Sequence, residues 1–258
     1  ELLLSHEKMD PNIPDNKGWT ALMIACQLGH AEVVRLLLSH EKINPNLQAN
    51  NGFTALMFAC QDGHSEAVEL LLSHKDIDPN IKRNNGFTAL MLACQFGHAK
   101  VVRLLLAHKD MDPNIHIGNG STALMLACQD GQTEVVQLLL SHERMDPNIQ
   151  TINGSTALMI DCFKGSIEVV KSLLEYGVLL DLTNNDDDTA LDVAKKIDHK
   201  NIVDLIKKYK ACFVCKKSTK KKCSGCKSVH YCGSVCQRED WKKHKKVCNK
   251  TEDKKDEE

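Results

Sequence analysis

Two apolar patterns alternate along most of this chain. One is a compact block, Thr-Ala-Leu-Met-x-Ala-Cys, that opens at Thr20, Thr54, Thr88 and Thr122, with its Thr-Ala-Leu-Met start again at Thr156. The other is a Val-Val-x-Leu-Leu-Leu run, as from Val33 to Leu38. The threonines stand 34 residues apart, and Gly18, Gly52, Gly86, Gly120 and Gly154 keep the same period. Each block predicts one short helix with an apolar face. The first helix of each unit ends at a glycine: Gly29, Gly63, Gly97, Gly131 or Gly165. A loop with Asp-Pro-Asn or Asn-Pro-Asn follows the second helix, as at Asp10-Pro11-Asn12, Asn44-Pro45-Asn46 and Asp78-Pro79-Asn80. Proline and asparagine punctuate turns there. A fixed period of this length is the mark of a repeat architecture.

The ends of the array differ from its middle. Residues 1–16 match only the second half of a unit, which leaves Leu2, Leu3 and Leu4 without a neighbour and leads us to expect further repeats ahead of Glu1. From Thr156 to Thr189 the spacing falls to 33, and the Asp-Pro-Asn loop becomes Tyr176-Gly177-Val178. The unit that starts at Thr189 has a charged second helix from Asn201 to Tyr209, as suits a polar cap.

The repeating unit resembles the ankyrin repeat. The resemblance spans residues 1–209 and rests on the leading glycine, the Thr-x-Leu, the small pair Ala25-Cys26, Gly29-His30, Glu32-Val33-Val34 and the leucine run. That family opens its first helix with Thr-Pro-Leu-His. Here the sequence is Thr-Ala-Leu-Met, so the proline and the histidine that links neighbouring repeats are both absent from that block. The resemblance implies a mainly α solenoid of helix-turn-helix repeats with hairpin tips. It divides the chain into a truncated repeat (1–16), five repeats (17–188) and a capping repeat (189–210).

Charge separates the rest of the chain from this body. The formal net charge is −1, yet residues 1–209 hold 18 basic and 27 acidic side chains. Between Lys210 and Lys250 there are 13 Lys/Arg against Glu239 and Asp240 alone. The polar, charged tail 249–258 is expected to be disordered. Hydrophobic residues make up 42% and aromatics only 4%, which suits a folded core of small aliphatics. The chain contains no apolar run of the length a membrane span needs.

The basic stretch also concentrates the cysteines. Cys212, Cys215, Cys223, Cys226, Cys232, Cys236, His244 and Cys248 fall in four pairs, with the spacings C-x2-C, C-x2-C, C-x3-C and H-x3-C. Thiolate and imidazole are the donors zinc prefers, four per closed structural site. Eight donors therefore predict two structural zinc ions. The spacing gives the pairs and leaves open which pairs share a metal. Cysteines at metal spacing suit a reducing compartment, cytoplasm or nucleus, rather than a disulfide framework.

Around those donors stand Tyr231 before Cys232, Gln237 after Cys236, Asp240-Trp241 and His244-Lys245. With them, residues 212–248 resemble the MYND zinc finger. The resemblance implies interleaved ligand sets: Cys212, Cys215, Cys232 and Cys236 for one zinc, and Cys223, Cys226, His244 and Cys248 for the other. It also implies that Gln237 and Trp241 line a groove for a proline-rich peptide, a ligand that is preformed and loses little entropy on binding. The other reading of Trp241 is core packing within the finger. The finger lysines, including Lys216, Lys217, Lys220, Lys221, Lys222, Lys242, Lys243, Lys245 and Lys246, suit a nucleic-acid-associated regulator as an alternative. No aromatic stripe is interleaved with them, as single-strand binders need.

The array offers a second surface. Ankyrin proteins bind partners through a concave face of hairpin tips and first helices. The matching positions here change between repeats: Trp19, Phe53 and Phe87 at the tips, and Leu28, Asp62, Phe96 and Asp130 on the first helices. Trp19, Phe53 and Phe87 read as an aromatic line available to a partner, or as rings partly buried between tips. The periodic cysteines Cys26, Cys60, Cys94, Cys128 and Cys162 read as buried small side chains. His6, His40, His74, His108 and His142 are expected to end second helices, where positive charge suits the dipole. At about 10 Å between stacked helices they stand too far apart to share an ion. No G-x-S-x-G, P-loop or H-E-x-x-H motif is present. The sequence thus predicts a monomeric, non-enzymatic adaptor that binds proteins through the array and the finger, or the accessory region of an enzyme encoded outside this stretch.

Overall fold

The computed structural model describes residues 10–210 and the backbone of two short strands, 221–222 and 230–231. Two compact units divide it, Glu1–Ile149 and Gln150–Glu258. The first contains four helix pairs: α1 (Ala21–Gln27) with α2 (Ala31–Leu38), α3 (Ala55–Gln61) with α4 (Ser65–Leu72), α5 (Ala89–Gln95) with α6 (Ala99–Leu106), and α7 (Ala123–Gln129) with α8 (Thr133–Ser141). The second contains α9 (Ala157–Lys164) with α10 (Ile167–Tyr176), α11 (Ala190–Lys196) with α12 (Lys200–Lys210), and the strands β1 (Lys221–Lys222) and β2 (His230–Tyr231). These strands pair antiparallel, Lys221 with Tyr231 and Lys222 with His230.

In the first unit α1, α3, α5 and α7 stack in one row, and α2, α4, α6 and α8 in another. In the second, α9 packs on α11 and α10 on α12. The rows follow from the sequence pattern. Leu22, Met23, Ala25 and Cys26 of α1 are buried, as are their counterparts in α3, α5 and α7. Val34 and Leu37 are the buried positions of α2. No described helix is long and apolar enough to cross a membrane.

Without the proline, the helix start rests on the threonine cap, and Ala21 is the first helical residue. The Thr20 hydroxyl accepts from the Met23 amide at 3.4 Å, and Thr54, Thr88, Thr122 and Thr156 do the same one repeat apart. Each of these threonines is buried, so the bond satisfies a helix-end amide that water does not reach. At Thr189 the cap becomes a full capping box with Asp192.

The missing inter-repeat histidine is replaced from another position. The His64 ring Nε2 lies 2.9 Å from the Gln27 carbonyl, and His98 Nε2 lies 2.9 Å from that of Gln61. In the second unit His199 Nδ1 approaches the Cys162 carbonyl at 3.1 Å. These are the histidines that precede the second helices. Gly29 makes the first contact possible: it has φ +71°, and a Cβ there would stand 2.6 Å from His64 Nδ1.

The Asp-Pro-Asn loops do more than turn. Asn46 donates through Nδ2 to the Asp76 carbonyl at 2.6 Å and accepts from the Asp78 amide at 2.9 Å. Asn12, Asn80 and Asn114 make the same two bonds to the next loop along. The result is an asparagine ladder along the first unit. The helix-ending histidines assist it, for Nδ1 of His40, His74, His108 and His142 accepts the amide two residues on.

Candidate functional site

The predicted recognition positions of the first unit separate into two groups. Those that cap the first helices are exposed. Leu28 is the C-cap of α1, Asp62 of α3, Phe96 of α5 and Asp130 of α7. Leu28 is 57% exposed and Phe96 52%, and Asp62 and Asp130 are also open to solvent. One register position therefore alternates apolar, acidic, apolar and acidic across four repeats. The helix ends there because the following glycine adopts positive φ, so the side chain at this position has no packing duty.

The tip aromatics do not stand out as a free line. Phe53 is buried, while Trp19 and Phe87 are half-buried. The cause is Phe58, which projects from α3 into the gap between tips. Its ring centroid lies 4.5 Å from that of Trp19, tilted, and 4.7 Å from that of Phe53, nearly parallel. Beyond Phe53 comes a cation. The Arg83 guanidinium carbon lies 4.6 Å from the Phe53 centroid and 5.6 Å from that of Phe87. Trp19, Phe58, Phe53, Arg83 and Phe87 thus form one column along the tips. Phe53 belongs to this core and not to the free surface. Sequence reading missed Arg83 and Phe58. The signal was a ring at Phe58 where Ile24, Leu92, Leu126 and Ile160 stand in the other repeats.

A second missed residue lies in the other unit. Asp161 takes the position of Ala25, Ala59, Ala93 and Ala127. It is fully buried, and neither carboxylate oxygen has a hydrogen-bond partner. The nearby Val170 amide is already bonded to the Ser166 carbonyl at 3.0 Å. Burial pushes the Asp161 carboxyl from 3.8 up to about 7; Val170 and Ser166 pull it down, and Glu168 pushes it further up. The signal was the break of an alanine repeated four times, beside a cysteine that continues as Cys162.

The buried cysteines have no chemistry of their own. Cys26, Cys60, Cys94, Cys128 and Cys162 are buried in the core and form no disulfide. Burial pushes Cys26 up to about 12 and raises Cys60, Cys94 and Cys162 as well. No cluster of three or more His, Cys, Asp or Glu suited to a metal occurs among the described residues.

The predicted zinc ligands Cys212, Cys215, Cys223, Cys226, Cys232, Cys236, His244 and Cys248, and the peptide-contact residues Gln237 and Trp241, lie outside the described residues. Their donor chemistry fits zinc: seven thiols and one imidazole supply two four-donor sets without a carboxylate.

Comparison with known proteins agrees with this division. The model of ankyrin repeats, three copies long, matches residues 1–83, 75–151 and 143–219. That of the MYND finger matches residues 212–248. Among curated proteins, the chain is 55% identical over 40 residues to the zinc finger MYND domain-containing protein 10 homolog of Drosophila melanogaster, covering 16% of this chain and 9% of that protein. It is 60% identical over 38 residues to ubiquitin carboxyl-terminal hydrolase 19 of Arabidopsis thaliana, covering 14% and 6%. The chain thus spans less than a tenth of the length of these relatives. Among solved structures, the ankyrin repeat domain of Bcl-3, a member of the IkappaB family, superposes with a TM-score of 0.70 at 28% identity, over 77% of this chain and 86% of that one. The ankyrin repeat protein EF0377 gives 0.69 at 25% identity, over 73% and 97%. Ankyrin matches cover well over half of the chain, so it belongs to the ankyrin-repeat family and carries a MYND finger at residues 212–248.

Proposed function

We propose that this protein is a non-enzymatic adaptor that holds one partner on the ankyrin face and a proline-rich peptide on the finger. The observation that carries the reading is the contrast within each repeat. Framework positions repeat almost unchanged and are buried or bonded. The C-cap position changes from Leu28 to Asp62 to Phe96 to Asp130 and is exposed in all four. Packing does not explain that variation, whereas recognition of a particular partner does. Two structural zinc ions would hold the finger in the interleaved sets given above, with all eight donors from protein and no open position for catalysis. Gln237 and Trp241 would contact the peptide. Two linked sites of modest affinity gain through effective concentration when one partner carries both ligands. Core thiols that form no disulfide suit the reducing cytoplasm or nucleus.

The test is affinity capture with the intact chain, a Leu28→Ser/Phe96→Ser variant and a Trp241→Ala variant. Each variant should lose its own set of partners while thermal unfolding stays unchanged. Zinc content of the purified chain should be two per molecule. If both variants capture what the parent captures, and nucleic acid copurifies in a salt-sensitive manner, the adaptor reading fails and the finger lysines become the functional surface.

A further inference from the structure

We propose that Arg83 is a receptor for a carboxylate, so that the first unit takes a peptide segment with an Asp or Glu side chain laid against the tips. The proposal rests on the adaptor reading and specifies the partner's chemistry on that face.

Four arginines lie among the described residues, and three are engaged. Arg35 meets Glu32 at 3.6 Å and Glu66 at 3.8 Å, Arg103 meets Glu134 at 4.0 Å, and Arg144 donates to the carbonyls of Lys109 and Met111. Arg83 differs. No described acidic side chain lies within 4.0 Å of it, and its Nε is buried with no acceptor. The residue as a whole is only half-buried. The donors left for a partner are therefore those of the two Nη groups, which form one edge of a planar fork that fits a carboxylate bidentately.

The guanidinium is held in place before any partner arrives. Phe53 covers it at 4.6 Å and Phe87 at 5.6 Å. Its backbone is fixed as well, with the amide donating to the Phe87 carbonyl at 2.8 Å and the carbonyl accepting from Gly86 at 2.7 Å. Contact with aromatic faces stabilises the cation and removes water from it, which strengthens attraction to an incoming anion. Little side-chain freedom remains to be lost on binding.

The local charge selects an acidic group at the tips and a different one beside them. The tip segments 47–53, 81–87 and 115–121 contain Lys82, Arg83 and His116 and no acid, and the one acid of the 13–19 tip, Asp15, accepts the amides of Lys17 and Trp19. The neighbouring C-caps carry Asp62 and Asp130. A ligand's carboxylate is thus drawn to Arg83 and repelled from the helix ends. A uniformly anionic polymer is disfavoured, because residues 1–209 carry 27 acidic and 18 basic side chains. A peptide with one local acid among neutral or apolar residues fits both conditions.

The experiment selects a phage-displayed library of twelve-residue random peptides on the full chain, then measures the enriched peptides by fluorescence anisotropy. Most should share one fixed Asp or Glu. Replacing that residue by Gln or Asn in the peptide should weaken binding at least tenfold, a measurement that needs no protein variant. Arg83→Gln should weaken the parent peptide equally and leave the amidated peptide unchanged, as a direct pair requires. Arg83→Lys, which keeps the charge and loses the fork, should fall between them. Circular dichroism melting checks that these variants fold. Peptides that bind without a fixed acid, or whose affinity ignores Arg83 but falls with Leu28→Ser/Phe96→Ser, would overturn this proposal and leave the adaptor reading intact. Acidic peptides released by zinc chelation, or displaced by an equimolar single-stranded oligonucleotide, would place the anion site on the finger and also overturn it. A selection that enriches nothing would count against both readings.

Discussion

Asp161 makes the second unit's stability depend on pH in a direction opposite to that of most carboxylates. Its pKa is raised from 3.8 to about 7 by burial, which outweighs the downward pull of Val170 and Ser166. The folded unit therefore keeps a proton that the unfolded chain releases. Its contribution to stability is fully present below about pH 4, falls between about pH 4 and pH 7, and is flat above. A rise of roughly three units at about 1.4 kcal/mol each gives about 4 kcal/mol lost across that window. Asp161→Asn keeps the shape and removes the titration. It leaves a buried amide unpaired at every pH, so only the pH dependence of the difference is diagnostic. The assay is hydrogen exchange of the α9 and α10 amides at pH 5 and pH 8, expressed as protection factors so that intrinsic exchange rates cancel. Relative to the parent chain, the variant should gain protection at pH 8 by up to about a thousandfold more than below pH 4, with most of that change already visible above pH 5. Asp161→Ala, which restores the residue of the other four repeats, should show the same dependence. A ratio of variant to parent protection that is equal at pH 5 and pH 8 would refute the reasoning. The carboxyl would then be reached by water, and its burial would carry no charge penalty.

Three further outcomes are expected. Asn80→Ala removes the bonds to the Asp110 carbonyl and the Asp112 amide; both groups are near solvent, so the cost should be about 1–2 kcal/mol, read as a fall of a few degrees in the calorimetric midpoint. Phe58→Leu opens the aromatic column beside Trp19 and should cost about 1–2 kcal/mol, with a red shift of Trp19 emission in a Trp241→Phe background. Ellman's reagent should find almost no reactive thiol in the zinc-loaded chain, seven after chelation and all twelve in denaturant, because the five array thiols are buried and seven belong to the finger; array thiols reacting in the native chain would contradict the packing.

The repeat fold was legible because its signals are local and periodic. Thr20, Gly29 and the Leu-Leu-Leu run each act within one unit, and a period of 34 exposes them together. What escaped the sequence acts between units. The Asp-Pro-Asn loops read as turns, yet Asn46 spans 30 residues to Asp76 and 32 to Asp78. The linking histidine looked lost, because the family's position holds methionine, whereas His64 and His98 reach the preceding repeat from the second helix start. Both contacts depend on how adjacent repeats face each other, which a linear pattern does not carry. Phe53, for which the sequence left exposure and burial between tips both open, is buried for a similar reason. Its exposure is decided by Phe58, five residues on and in the adjoining helix, and by Arg83 from the next tip.

Asp161 and Arg83 show how deviation from a period separates into two kinds. Every repeat solves the same packing problem, so a position that packing governs converges on one residue, as Ala25, Ala59, Ala93 and Ala127 do. A polar group at such a position is costly unless paired. Asp161 bears that cost and gains no visible bond in return. Arg83 differs, because it stands at a tip where the other repeats have no fixed residue: Asp15, Ala49, Ile117 and Thr151 share its backbone hydrogen bonds, each through its amide and its carbonyl. Its backbone serves the framework while its side chain is free to vary. A substitution at Arg83 should therefore change binding with little loss of stability, and one at Asp161 should change stability with no effect on binding at the first unit. That pair of opposite outcomes separates partner recognition from framework strain more sharply than either substitution alone.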